Sequence, residues 1–158
     1  FRVYCKPAAS PPRANTLDTL PKQLRSPSNL LRGTRLLYVE DDAELRELFT
    51  HELQLQGIHI VSFANFDALQ RYIKAHPTEK FDALLADYRL PEAQTGVTAA
   101  LWLRQYLQQL TPVILLTGDT QIHADPLLVQ LQKFRLVQKP IKISDLLEEI
   151  SLLLSPNP

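Results

Sequence analysis

Methionine is absent from this 158-residue sequence, and cysteine occurs once, at Cys5. A single thiol cannot build an internal disulfide framework, so a core must hold the fold, and a reducing compartment is expected. The lack of methionine, with Phe1 in first place, leads us to expect a fragment of a longer protein. Also missing is any apolar run near the roughly 20 residues that cross a bilayer. A soluble, cytoplasmic piece is therefore expected, with any membrane anchor elsewhere in the parent. Net charge is zero as well, but the total hides an asymmetry: residues 1–33 carry six Lys/Arg and one acid, leaving eleven bases against sixteen acids in residues 34–158. The later part is acidic, which suits a cation-binding pocket and argues against nucleic acid as a direct ligand.

With 45% hydrophobic and 22% charged residues, the chain can bury one ordinary core. The informative stretch is Ala83-Leu84-Leu85-Ala86-Asp87-Tyr88-Arg89-Leu90-Pro91, a continuous apolar run that ends in one acid and then turns. Short runs without polar alternation are what a parallel strand buried on both faces requires. A carboxylate along such a strand would cost several kcal/mol of desolvation, so Asp87 is expected at its carboxyl end, the edge where open α/β sheets bind ligands. Three further runs end alike: Leu36–Val39 at Glu40-Asp41-Asp42, Pro112–Leu116 at Thr117-Gly118, and Arg135–Gln138 at Lys139-Pro140. If all four strands are parallel, acids, a hydroxyl and an ammonium converge on Asp87. Carboxylates crowded together stay ionised only around a hard divalent cation.

From the start of the chain, Phe1–Tyr4 reads as the end of a strand, followed from Cys5 to Gly33 by five prolines and no hydrophobic period, a partly extended linker. Leu45, Leu48, Phe49 and Leu53 keep helical spacing after an Asp41 or Asp42 cap, with Gly57 as a stop. Ile58–Phe63 reads as a strand, Phe66–Ala75 as a helix ended by Pro77, and Val97–Leu110 as a helix. Asp125-Pro126 predicts a late helix reaching Phe134. Ile143 to Leu154 carries a wide apolar stripe, with Ser144 as its cap.

Taken together, the strand-end residues resemble the receiver (response regulator) domain of two-component phosphorelays, over residues 34–155. Right-handed crossovers and this resemblance imply an α/β doubly wound (βα)5 sandwich of flavodoxin-like type, with parallel strand order 2-1-3-4-5. Residues 1–33 then form the end of a preceding domain plus linker, and 156–158 a tail. The resemblance implies that Asp87 takes a phosphoryl group from a phosphohistidine, with the fragment catalysing its own phosphorylation and dephosphorylation. Mg²⁺ (or Mn²⁺) would be held by Asp41, Asp87 and the Arg89 carbonyl, with Glu40 acting through water or shaping the pocket. Lys139 and Thr117 would hold phosphoryl oxygens, beside room left by Gly118, and the Lys139–Pro140 bond would be cis. The implied partners are a histidine kinase or a histidine phosphotransfer domain. The start, Phe-Arg-Val-Tyr, looks like the last strand of a kinase ATP-binding domain, and Asp87–Pro91, Thr95–Val97 and Val113–Asp119 look like hybrid-kinase receivers. A stand-alone receiver, or a non-phosphorylated binding module of the same fold, is the alternative.

Two positions depart from the family. Receivers carry an aromatic residue three before the lysine, and here Leu136 stands there, which puts the aromatic half of the conformational switch in doubt. The turn from Pro91 to Gly96 is one residue longer. An aspartyl-phosphate hydrolase would need a second acid where Arg89 stands. In receivers the residues two after the nucleophile and two after the hydroxyl flank the path of the hydrolysing water. Here they are Arg89 and Asp119, expected either to pair across the mouth and slow hydrolysis or to remain solvated. His51 resembles the start of a kinase phosphorylation box but lacks the following Arg-Thr-Pro, so it reads as an exposed helix residue. His59, His76 and His123 share no metal spacing and are assigned no role.

Overall fold

The computed structural model describes residues 26–120, 122 and 125–156. The expected strand at Phe1–Tyr4, Cys5, most of the Pro-rich stretch, His123 and the last two residues lie outside the described residues. Five parallel strands form one sheet in the order β2-β1-β3-β4-β5: β1 Arg35–Val39, β2 His59–Phe63, β3 Ala83–Asp87, β4 Val113–Thr117 and β5 Phe134–Gln138. The flavodoxin-like receiver topology expected above is the one observed. Helices α1 Pro27–Leu30, α2 Ala43–Leu55, α3 Phe66–Ala75, α4 Gly96–Leu107 and α5 Ile143–Leu154 accompany it.

Alternation along each buried strand divides the core into two layers. Leu37, Val39, Leu84, Ala86, Val113 and Leu115 face α3 and α4, where Leu69, Ile73, Ala99, Ala100 and Leu103 pack. Leu36, Tyr38, Ala83, Leu85, Ile114 and Leu116 face α2 and α5, meeting Phe49, Leu53, Leu146, Leu147 and Ile150. Both faces of β3 and β4 are covered, which is why their sequences show no polar alternation. Register pairs Val39 with Ala86, Asp87 with Leu116 and Thr117 with Gln138, so the carboxyl ends of four strands emerge together.

Several expectations are corrected. No α-helix runs from Pro126 to Phe134; a single 3₁₀ turn, Leu128–Gln130, stands in its place. Asp125 Oδ1 accepts from Leu127 N at 2.8 Å, which closes a tight turn, and i→i+3 bonds follow. Beyond the turn, Arg104 of α4 donates from Nη2 to the carbonyls of Gln132 and Lys133 and from Nε to that of Thr111, so the chain is pulled out toward β5. Ser144 is not the cap of α5: Lys142 occupies that position without a side-chain hydrogen bond, and Ser144 lies inside the helix. Helix α4 ends at Leu107, because Gln108 turns left-handed (φ 51°). Residues 26–33, grouped by composition with the Pro-rich stretch, fold onto the domain. There α1 lies against α5 and Leu31 is buried among Leu36, Ile58 and Leu153. Strands β1, β2, β4 and β5 each start one residue away from the expected run, and β4 also ends one residue later.

Candidate functional site

Asp87 closes β3, and Tyr88 N continues the ladder to Leu116 O at 2.7 Å, which fixes the backbone just where the sheet opens. Asp42 caps α2 by accepting from Leu45 N at 3.0 Å, the acid of the run best suited to that work on sequence grounds. Asp41 is exposed at the same edge and has a carboxylate oxygen close to those of Glu40 and Asp87. Glu40 is only 1% exposed; its Oε1 accepts from Asp42 N at 3.3 Å, and its carbonyl from Arg46 Nη1 at 2.7 Å. Lys139 follows β5, its N bonded to Thr117 O at 2.7 Å, and the Lys139–Pro140 bond is cis. Its Nζ lies 2.9 Å from Glu40 Oε2 and 3.1 Å from Asp87 Oδ2.

One ammonium among three carboxylates sets the electrostatics. Burial, and secondarily the Asp87 charge, hold the Glu40 carboxyl above the usual range, and the Lys139 hydrogen bond offsets only part of this. Burial works against the Lys139 ammonium, but the Glu40 hydrogen bond and the charges of Asp87 and Glu40 outweigh it, so its pKa is raised. From the lysine the pair is favourable and from the glutamate costly. The lysine's direction follows from its carboxylate neighbours, the glutamate's chiefly from burial. Glu40, Asp41 and Asp87 each present an oxygen within 4.8 Å of the others. An all-oxygen, net-negative donor set fits a hard divalent cation and not one that prefers nitrogen or sulfur.

Thr117, 4% exposed, ends β4; its Oγ1 accepts from Asp119 N at 2.9 Å and donates to Asp119 O at 3.3 Å. Arg89 reaches across the same cleft, Nη2 to Asp119 Oδ2, 2.7 Å. Together with Asp87, Gly118 and Lys139 these residues line one open cleft, to which Thr120 adds a wall the sequence did not single out. Leu136 is half-buried in β5 and packs on the α3–α4 side of the core. His51 is exposed on α2, its Nδ1 3.7 Å from Glu52 Oε1; His59 opens β2, and His76 stacks on Tyr72.

Two contributors were not read from the sequence. A Cβ on Gly96 would lie 2.6 Å from Asp87 O and 2.8 Å from Leu115 Cδ2, so only glycine lets α4 start this close beneath the acid. The signal available was a lone glycine closing a turn. Tyr88 donates its hydroxyl to Asp125 Oδ2 at 2.5 Å, and burial with that bond pushes the phenol up to about 12. Arg89 and Tyr88, the two residues after Asp87, therefore both reach the chain beyond β4.

A family model, the response regulator receiver domain, matches residues 36–151. The chain belongs to that family. Among solved structures this receiver is similar to the chemotaxis response regulator CheY4 of Vibrio cholerae (22% identity, TM-score 0.66, 77% of this chain and 99% of that one). It is also similar to the response regulator TrrA of Thermotoga maritima, solved in complex with Mg²⁺-BeF (25% identity, TM-score 0.64, 77% and 99%). A third is the receiver domain of the hybrid histidine kinase CckA (23% identity, TM-score 0.61, 77% and 99%). No curated protein matches the chain. Among the described residues, no helix is long and apolar enough to cross a membrane.

Proposed function

We propose that this receiver takes a phosphoryl group from a phosphohistidine of a histidine kinase or histidine phosphotransfer domain onto Asp87, in a Mg²⁺-dependent step. The observation that carries the reading is the Lys139 ammonium 3.1 Å from Asp87 Oδ2, beside a three-carboxylate cluster. An Asp87 carboxylate oxygen forms the new bond to phosphorus as the phosphorus–nitrogen bond breaks, and the imidazole leaves. Lys139 and the Thr117 hydroxyl would hold phosphoryl oxygens. Asp41, Asp87 and the Arg89 carbonyl would hold Mg²⁺, with Glu40 shaping the pocket; the ion supplies positive charge against the transferred group. TrrA, crystallised with Mg²⁺-BeF, supports that ion. Mn²⁺ offers the same hard-oxygen preference.

A hybrid histidine kinase is the proposed parent, on the likeness of Asp87–Pro91 and Val113–Asp119 to such receivers, and a cytoplasmic location goes with it. A kinase core encoded directly upstream would support this parentage, and a translation start just before the Pro-rich stretch would remove it. The chemistry is tested by intact-mass measurement after acetyl phosphate treatment. One added phosphoryl group, dependent on Mg²⁺ or Mn²⁺, is expected, and no addition would overturn the reading. In a calorimetric Mg²⁺ titration, Asp41→Ala should bind at least tenfold more weakly. Unchanged affinity would mean that Asp41 is not a ligand.

A further inference from the structure

Tyr38 is the side chain least explained by the fold. It is fully enclosed, larger than any other side chain of the core buried to that degree among the described residues, and its ring stacks on Phe49 at 6.2 Å. Its hydroxyl nevertheless has no hydrogen-bond partner. Buried tyrosine hydroxyls ordinarily find one, because an unpaired polar atom in the interior costs stability that phenylalanine would not. Thr50 Oγ1 and Thr111 Oγ1 are also unpaired, but neither shares the position of Tyr38. Two residues before Glu40, Tyr38 leaves β1 on the same face. The charged groups whose fields reach its hydroxyl are Glu40, Asp87, Arg46 and Asp42, all at the site end of the sheet.

A divalent cation and the Lys139 ammonium compete for the same carboxylates. A cation drawing on the Glu40, Asp41 and Asp87 cluster would weaken the hold of Lys139 on it, and a Glu40 oxygen released from the 2.9 Å Lys139 bond would be buried without a donor. We propose that the Tyr38 hydroxyl is a positioning group of the cation site, which donates to the Glu40 carboxylate, directly or through one water, when the cation is bound. This rests on the reading of Glu40, Asp41 and Asp87 as a divalent-cation site.

Tyr38→Phe deletes one oxygen and keeps the ring. Thr111→Val is its control, because Thr111 is equally buried and unpaired but precedes β4, at the opposite end of the sheet. Calorimetric titration of each protein with MgCl₂ at fixed ionic strength, with thermal melting in the absence of Mg²⁺, decides the matter. Expected are melting temperatures no lower than wild type for both variants, Mg²⁺ affinity about fivefold weaker in Tyr38→Phe, and unchanged affinity in Thr111→Val. Wild-type affinity in Tyr38→Phe would overturn the proposal and leave the cation site standing. A lower Mg²⁺-free melting temperature in that variant would overturn it too, by showing the hydroxyl already partnered. Absence of Mg²⁺ binding in the wild type would remove the cation site and this proposal together.

Discussion

The contact between Arg89 and Asp119 shows how exposure decides what an ion pair is worth. A desolvated, bidentate pair would contribute about 1 to 3 kcal/mol. Here there is one close contact, and the arginine side chain is 77% exposed, which places the pair within the roughly 0.2 to 1 kcal/mol of surface bridges. Its expected effect on the acyl phosphate is correspondingly modest. Arg89→Ala and Asp119→Ala should each speed autodephosphorylation about two- to fivefold, with no further gain in the double variant. Unchanged rates in all three would reduce the pair to two solvated side chains. Tyr88 gives a pH-dependent prediction. Its phenol is raised from 10.0 to about 12. The folded state then keeps a proton that the unfolded state loses, so the contribution of this group is complete below pH 10 and fades as pH climbs to about 12. Tyr88→Phe should cost about 1 kcal/mol in urea unfolding at neutral pH, a difference that disappears by pH 12. A pH-independent difference would mean that the Asp125 bond is not its source.

Among the elements, the segment after β4 carries the sharpest test. Arg104 ties three carbonyls from two loops, and burial lowers its pKa, as expected for a cation held away from water. Arg104→Ala should destabilise the domain by about 2 to 3 kcal/mol, and Arg104→Lys should recover less than half, because an ammonium cannot span that fork of acceptors. Full recovery by lysine would show that charge alone matters there. This contact also explains why one element was misread. Leu127, Leu128, Leu131 and Phe134 carry helical spacing, but an arginine side chain from α4 claims the carbonyls at Gln132 and Lys133, and no local pattern reports that. Strands β1, β3 and β4 were legible because both faces are buried, and each run ends where the sheet meets water. Asp87, Lys139 and the Glu40–Asp42 acids were legible for the same reason, as polar residues that abruptly end apolar runs. Tyr88 with Asp125 was not, since a phenol and a carboxylate 37 residues apart leave no spacing signature. Gly96 reads only as a turn residue because its constraint comes from Asp87 O, at the end of β3.

For the whole molecule, one register decision does most of the work. Parallel pairing in the order β2-β1-β3-β4-β5 brings Glu40, Asp87, Thr117 and Lys139 to a single edge, although Glu40 and Lys139 are 99 residues apart in the chain. The acidic balance of residues 34–158 is thus concentrated in part at one edge of the sheet, where the Lys139 ammonium sits beside the carboxylates of Glu40 and Asp87. Residues 26–33 add α1 against α5 at the sheet's other end, remote from the chemistry. The central claim is that Asp87 is the acceptor, and transfer from a phosphohistidine donor to wild type and to Asp87→Asn tests it most directly. The substitution keeps the volume and removes the nucleophile. Transfer to the wild type and none to Asp87→Asn, with an unchanged far-ultraviolet circular dichroism spectrum, is the predicted result; labelling of Asp87→Asn to wild-type stoichiometry would contradict it.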